Sequence, residues 1–101
     1  MMMWPWRRPE SGTNGRVAFP NQSRSYDQTL RAVRFWGYDR SMENAFLVTS
    51  DALRRIEPDL QADEASVLRV FDRNRELIFR TAAKVYARGR RRAYNLVAAD
   101  F

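Results

Sequence analysis

Apolar and polar residues alternate in two stretches near the middle of the chain. Val33 and Phe35 share one parity, while Ala32, Arg34 and Trp36 share the other. A little further on, Phe46 and Val48 alternate with Ala45 and Leu47. A period of two marks extended strands whose side chains point to opposite faces of a sheet. The alternation predicts strands over residues 30–36 and 43–49. The connection Gly37-Tyr38-Asp39-Arg40-Ser41 is short, so the two should form an antiparallel hairpin. Val17 and Phe19 alternate in the same way ahead of Pro20 and predict a short opening strand, with Asn21-Gln22-Ser23-Arg24-Ser25 as loop. A closing strand is expected from Ala93 to Ala99, where Tyr94, Leu96 and Ala98 alternate with Asn95 and Val97.

Between the third and last strands the period becomes helical. Thr49 or Ser50 can cap a short helix from Asp51 to Glu57, with Leu53 and Ile56 on one edge and Pro58 as its stop. Val67, Phe71, Ile78, Ala82 and Val85 recur at helical spacing after a cap at Asp63, and Gly89 follows Arg88 as a stop. From Asp63 to Arg88 that is 26 residues, about 39 Å at about 1.5 Å per residue. Such a length predicts a bend near Asn74. The element order is β-β-β-α-α-β. The expected fold is α+β: an antiparallel four-stranded sheet with a short and a long helix packed on one face. On that reading the helices cover Val17, Phe19, Val33, Phe35, Phe46 and Val48. The other face receives Ala32, Arg34, Trp36, Ala45, Leu47 and Val97.

Residues 1–15 lack periodicity and carry Pro5, Pro9, Gly12, Asn14 and Gly15, so they read as a disordered tail ahead of one domain over 16–101. At 101 residues the chain has room for a single core. Its longest apolar runs, Ala45-Phe46-Leu47-Val48 and Leu96-Val97-Ala98-Ala99, fall far short of the roughly 18 residues of a spanning helix. No membrane contact is expected, and the absence of Cys fits a cytoplasmic protein.

The chain has no His and no Cys. That excludes Cys/His zinc sites, thiol nucleophiles, disulfides and His-based triads. Ser and Thr lack a His to activate them, and the four glycines are too scattered to cradle a phosphate. Asp59, Asp63 and Glu64 lack calcium-loop spacing and read as capping residues. Asp72 and Glu76 are surrounded in sequence by arginines and read as charge balance. No catalytic residue, metal ligand or cofactor is expected, and the chain reads as a non-enzyme.

Charge and aromatics leave two candidate surfaces. The net charge is +6, and all the basic residues but Lys84 are Arg. Arg88, Arg90, Arg91 and Arg92 cluster at a helix end and can contact an anion or a nucleic acid. Cations also collect at helix C-termini simply to complement the dipole. Arg34, Trp36, Leu47 and Val97 form the second candidate, an interface on the open sheet face, because a solvated sheet face should be mostly polar.

Several stretches carry a resemblance. They are Val17-Ala18-Phe19-Pro20, Val33-Arg34-Phe35-Trp36-Gly37, Phe46-Leu47-Val48-Thr49-Ser50-Asp51-Ala52-Leu53, Phe71-Asp72-Arg73-Asn74-Arg75 and Ala83-Lys84-Val85-Tyr86-Ala87-Arg88-Gly89, with Asp100-Phe101 at the close. Together the chain resembles a family of short bacterial proteins known as domain of unknown function 1488, over roughly residues 16–101. The resemblance implies a small α+β fold and supplies no catalytic residue. Two functions stay open: a non-enzymatic interaction or structural protein that self-associates, as a homodimer, through its open sheet face, and a nucleic-acid-associated protein acting through its arginines.

Overall fold

The computed structural model describes residues 17–89 and 94–101. Its elements are β1 (Arg24–Asp27), β2 (Ala32–Asp39), β3 (Met42–Thr49), α1 (Ser50–Ile56), α2 (Glu64–Arg73), α3 (Arg75–Ala87), β4 (Tyr94–Leu96) and a closing 3-10 turn (Ala98–Asp100). The strands form one sheet in the order β1-β2-β3-β4. The α+β class and the four-stranded sheet agree with the sequence reading. Strand direction does not: β1, β2 and β3 are antiparallel, but β4 runs parallel to β3, with Phe46 opposite Tyr94 and Val48 opposite Leu96. The expected all-antiparallel sheet is therefore a mixed one. The helices carry the chain back to the end of the sheet where β3 began, and such a crossover delivers a parallel neighbour.

The first strand is also displaced from its expected place. Ala18 makes only an isolated bridge to Tyr38, while β1 is built from Arg24-Ser25-Tyr26-Asp27, which had read partly as loop. Pro20 has no N–H for a ladder, and Asn21 accepts a bond from the Ser23 backbone at 2.8 Å, which turns the chain. The edge therefore pairs with β2 in two pieces. Between them the Phe19 ring lies over Gly37, where a side chain would collide with it. Phe19 stacks on Phe79 of α3 with ring centroids 4.6 Å apart.

The expected long helix is two, so the described residues form three α-helices. Asn74 is the break. Its side-chain amide donates to the Val70 carbonyl at 2.8 Å, the acceptor its backbone N–H would use in a continuous helix. The backbone N–H goes instead to Phe71 O at 3.0 Å. The same amide donates to Glu57 Oε2 at 2.7 Å, and Arg73 grips both oxygens of Glu57. The break is thus tied to the residue that ends α1. At the helix starts, Thr49 accepts from Ala52 N and Asp63 from Ser66 N, each at 3.0 Å.

All three helices lie on one face of the sheet. Val33, Phe35, Phe46, Val48 and Leu96 from the strands pack against Leu53, Val67, Phe71, Ile78 and Ala82 from the helices in one core. Tyr86 Oη donates to Asp39 Oδ2 at 2.7 Å and fixes α3 to the end of β2. Asp72 accepts from both Arg24 and Arg75 and joins β1 to the α2–α3 corner. Arg75 also lies over the Phe71 and Phe79 rings, at 5.0 and 5.9 Å.

Candidate interaction surface

The β2–β3 register decides what the uncovered face presents. Partners directly across an antiparallel pair point to the same side. Phe35 opposite Phe46 and Val33 opposite Val48 face the helices. Arg34 opposite Leu47, Trp36 opposite Ala45 and Tyr38 opposite Glu43 therefore face away from them. Arg34, Trp36, Tyr38 and Leu47 are half-buried and Ala45 is exposed. Across the two edges, Ser25 and Asp27 of β1 and Asn95 of β4 share this side.

Three expected interface residues, Arg34, Trp36 and Leu47, are thus brought together on one face. Val97 is not part of the strand pattern: β4 ends at Leu96, and Val97 is the extended residue that precedes the 3-10 turn. It remains 43% exposed at the rim. Tyr38 was missed because Gly37 and its neighbours read as a turn. The strand runs on to Asp39, so the every-second-residue series Arg34, Trp36, Tyr38 is the signal that could have found it. Arg24, near Arg34 in sequence, points to the helix side and binds Asp72.

This face is not basic. Arg34 lies 3.4 Å from Asp27, and Glu43 accepts the Tyr38 hydroxyl at 2.6 Å. That bond raises the Tyr38 pKa above its ordinary value, so the phenol keeps its proton. Trp36 and Tyr38 then form an aromatic strip with Leu47 and Ala45 beside it, and the charged groups stand at its margins.

The second candidate surface is only partly described. Arg88 caps α3 and reaches Asp100 at 3.5 Å. Arg90, Arg91 and Arg92 lie outside the described residues, as does the expected tail over 1–15. Among the described residues no cluster of three or more acidic side chains converges as a metal site. Asp63 serves as the α2 cap, and Ser66 holds its carboxyl below the usual range. Asp72 is held low first by Arg24 and then by Arg75. A cleft of about 740 Å³ opens beside Tyr26, Arg31, Ser50, Arg54 and Asp63. Its charged groups include the Asp63 cap and Arg54, which pairs with Asp51 at 3.2 Å. Among the described residues no helix is long and apolar enough to cross a membrane.

The fold has a solved counterpart. The crystal structure of a protein of unknown function from Shewanella loihica PV-4, described as a member of the DUF1488 family, superposes with a TM-score of 0.72. The match covers 84% of this chain and 96% of that one at 18% identity, so the likeness is one of fold. A comparison with curated proteins gave no match. The family model described as "Protein of unknown function (DUF1488)" matches residues 17–97, and with most of the chain inside that match the protein belongs to this family.

Proposed function

We propose that this protein is a non-enzymatic interaction module that self-associates as a two-fold dimer through its uncovered sheet face. The observation that carries the reading is the cross-strand block Arg34–Leu47 and Trp36–Ala45, facing away from α1, α2 and α3. A two-fold axis lets one such patch cover its own copy. An indole beside two aliphatic side chains gains more from an apolar partner than from water.

Charge favours self-association over nucleic acid at this face. The described groups on it are Arg34, already matched by Asp27, and Glu43. A phosphate backbone would meet more negative than positive charge there.

The face is small. Strands of 4, 8, 8 and 3 residues, at about 3.4 Å per residue and about 4.8 Å per strand, present roughly 375 Å² per copy. Stable interfaces bury about 800 Å² per partner. The dimer is accordingly weak and concentration-dependent, in the micromolar range.

The absence of native cysteine gives a clean test. Ala45→Cys places one thiol on the face and Lys84→Cys places one on α3. Under mild oxidation at micromolar concentration the first variant should form a covalent dimer much faster than the second. Equal rates would remove the basis for this interface.

A further inference from the structure

We propose that the exposed face of α3 binds the phosphate backbone of a nucleic acid, through Arg80, Lys84 and Arg88. These residues recur every fourth position, and all three are exposed. They follow one another at about 6 Å and span about 12 Å at 1.5 Å of rise per residue. The opposite side of the helix, with Ile78, Ala82, Val85 and Tyr86, is buried in the core. The cations therefore form an outward row on a rigid element.

Glu76 stands one turn before Arg80 on this row but makes no ion pair with it, and no carboxylate follows it along the helix. Between Glu76 and Asp100 the sequence has no Asp or Glu. Elsewhere in the described structure Arg24, Arg34, Arg54, Arg73 and Arg75 each pair with a carboxylate. Arg80 and Lys84 have no such partner among the described residues. Arg88 reaches Asp100 only at 3.5 Å, and its side chain stays 60% exposed.

Helix-dipole compensation accounts for cations in the last turn, as with Lys84 and Arg88. It does not account for Arg80, which lies about 10 Å before the helix end. The row also lacks the features of other anionic partners. A protein interface needs an apolar centre, and membrane-surface helices need an apolar face to insert. Leu77, at the start of α3, is the one large apolar side chain exposed on this helix. A polymer of regularly spaced phosphates needs only cations at intervals, and about 12 Å covers three to four phosphates at about 3.4 Å each.

Fluorescence anisotropy tests this with a labelled single-stranded oligonucleotide, a labelled duplex and heparin, each over a salt series. The full chain carries arginines outside α3, so the readout is the slope of log affinity against log salt. Arg80→Ala/Lys84→Ala should reduce the magnitude of that slope by about 1.4 on a single strand or about 1.8 on a duplex. The affinity at low salt should fall several-fold, with circular dichroism unchanged. Arg54→Ala, on α1 and outside the row, with its charge already paired to Asp51, should leave the slope as it is. The arm with the larger loss identifies single or double strand as the target. No oligonucleotide binding at low salt, an unchanged slope in the double variant, or binding of heparin alone would each overturn the proposal.

Discussion

Trp36 stands directly across from Ala45, on the side of the sheet opposite Phe35 and Phe46. Ala45 offers the indole only a methyl across the ladder, and Trp36 is half-buried. Among the described residues no helix covers it, because α1, α2 and α3 pack against the other face. The same register that buries one pair of phenylalanines therefore exposes the aromatic strip.

Gly37 should tolerate no side chain. A Cβ there would lie 2.6 Å from Phe19 Cε1 and 2.7 Å from Val17 Cγ2. Stacking on Phe79 limits how far the Phe19 ring can retreat. Gly37→Ala should destabilise by about 1–3 kcal/mol, outweighing the usual gain of replacing a strand glycine. The midpoint of urea unfolding measures this, and an unchanged or higher midpoint would show that residues 17–19 do not rest on β2.

Acid should unfold the protein through its bound carboxylates. Arg73, then Asn74, holds Glu57 below its ordinary pKa, and Arg24, then Arg75, does the same for Asp72. A folded-state pKa below the unfolded one means the unfolded chain binds more protons. The stabilisation is complete above the unfolded values, about 4.3 for Glu and 3.9 for Asp, and is lost as pH falls below them. The melting temperature should be flat near neutrality and drop below about pH 4.5. Asp72→Asn should lower the neutral value and flatten the acid limb. A variant whose acid limb keeps the wild-type steepness would show that Asp72 is not a contributor.

How far the sequence predicts this fold depends on which residues carry the pattern. Val33, Phe35, Phe46 and Val48 alternate strictly because one side of each strand is core, and their hairpin and face were readable. β1 was not readable, because it places only Tyr26 and the aliphatic stem of Arg24 toward the helices, and Arg24 is held there by Asp72, 48 residues away. The parallel direction of β4 depends on where three helices return the chain, which no local pattern encodes. Of the candidate surface, Arg34, Trp36 and Leu47 followed from parity. Tyr38 was lost to the turn signal of Gly37, a residue that is glycine because Phe19 lies on it.

Arg40 should be improvable. It occupies the left-handed region at φ 59° in the β2–β3 turn, where a non-glycine residue is penalised by about 1–2 kcal/mol. Arg40→Gly removes that penalty and adds backbone entropy to the unfolded chain, for a net gain of about 0.5–1 kcal/mol. A rise in the melting temperature is expected. A fall would mean that the arginine side chain makes a contact worth more than the strain.

Self-association is the central claim, and sedimentation equilibrium of the full chain tests it most directly. Between roughly 1 and 200 µM the wild type should pass from a mass near 11.9 kDa toward twice that value, as a micromolar dimer requires. Trp36→Glu should stay monomeric throughout with nearly the wild-type melting temperature, because its side chain lies outside the core. A wild type that remains monomeric at the highest concentration would contradict the account.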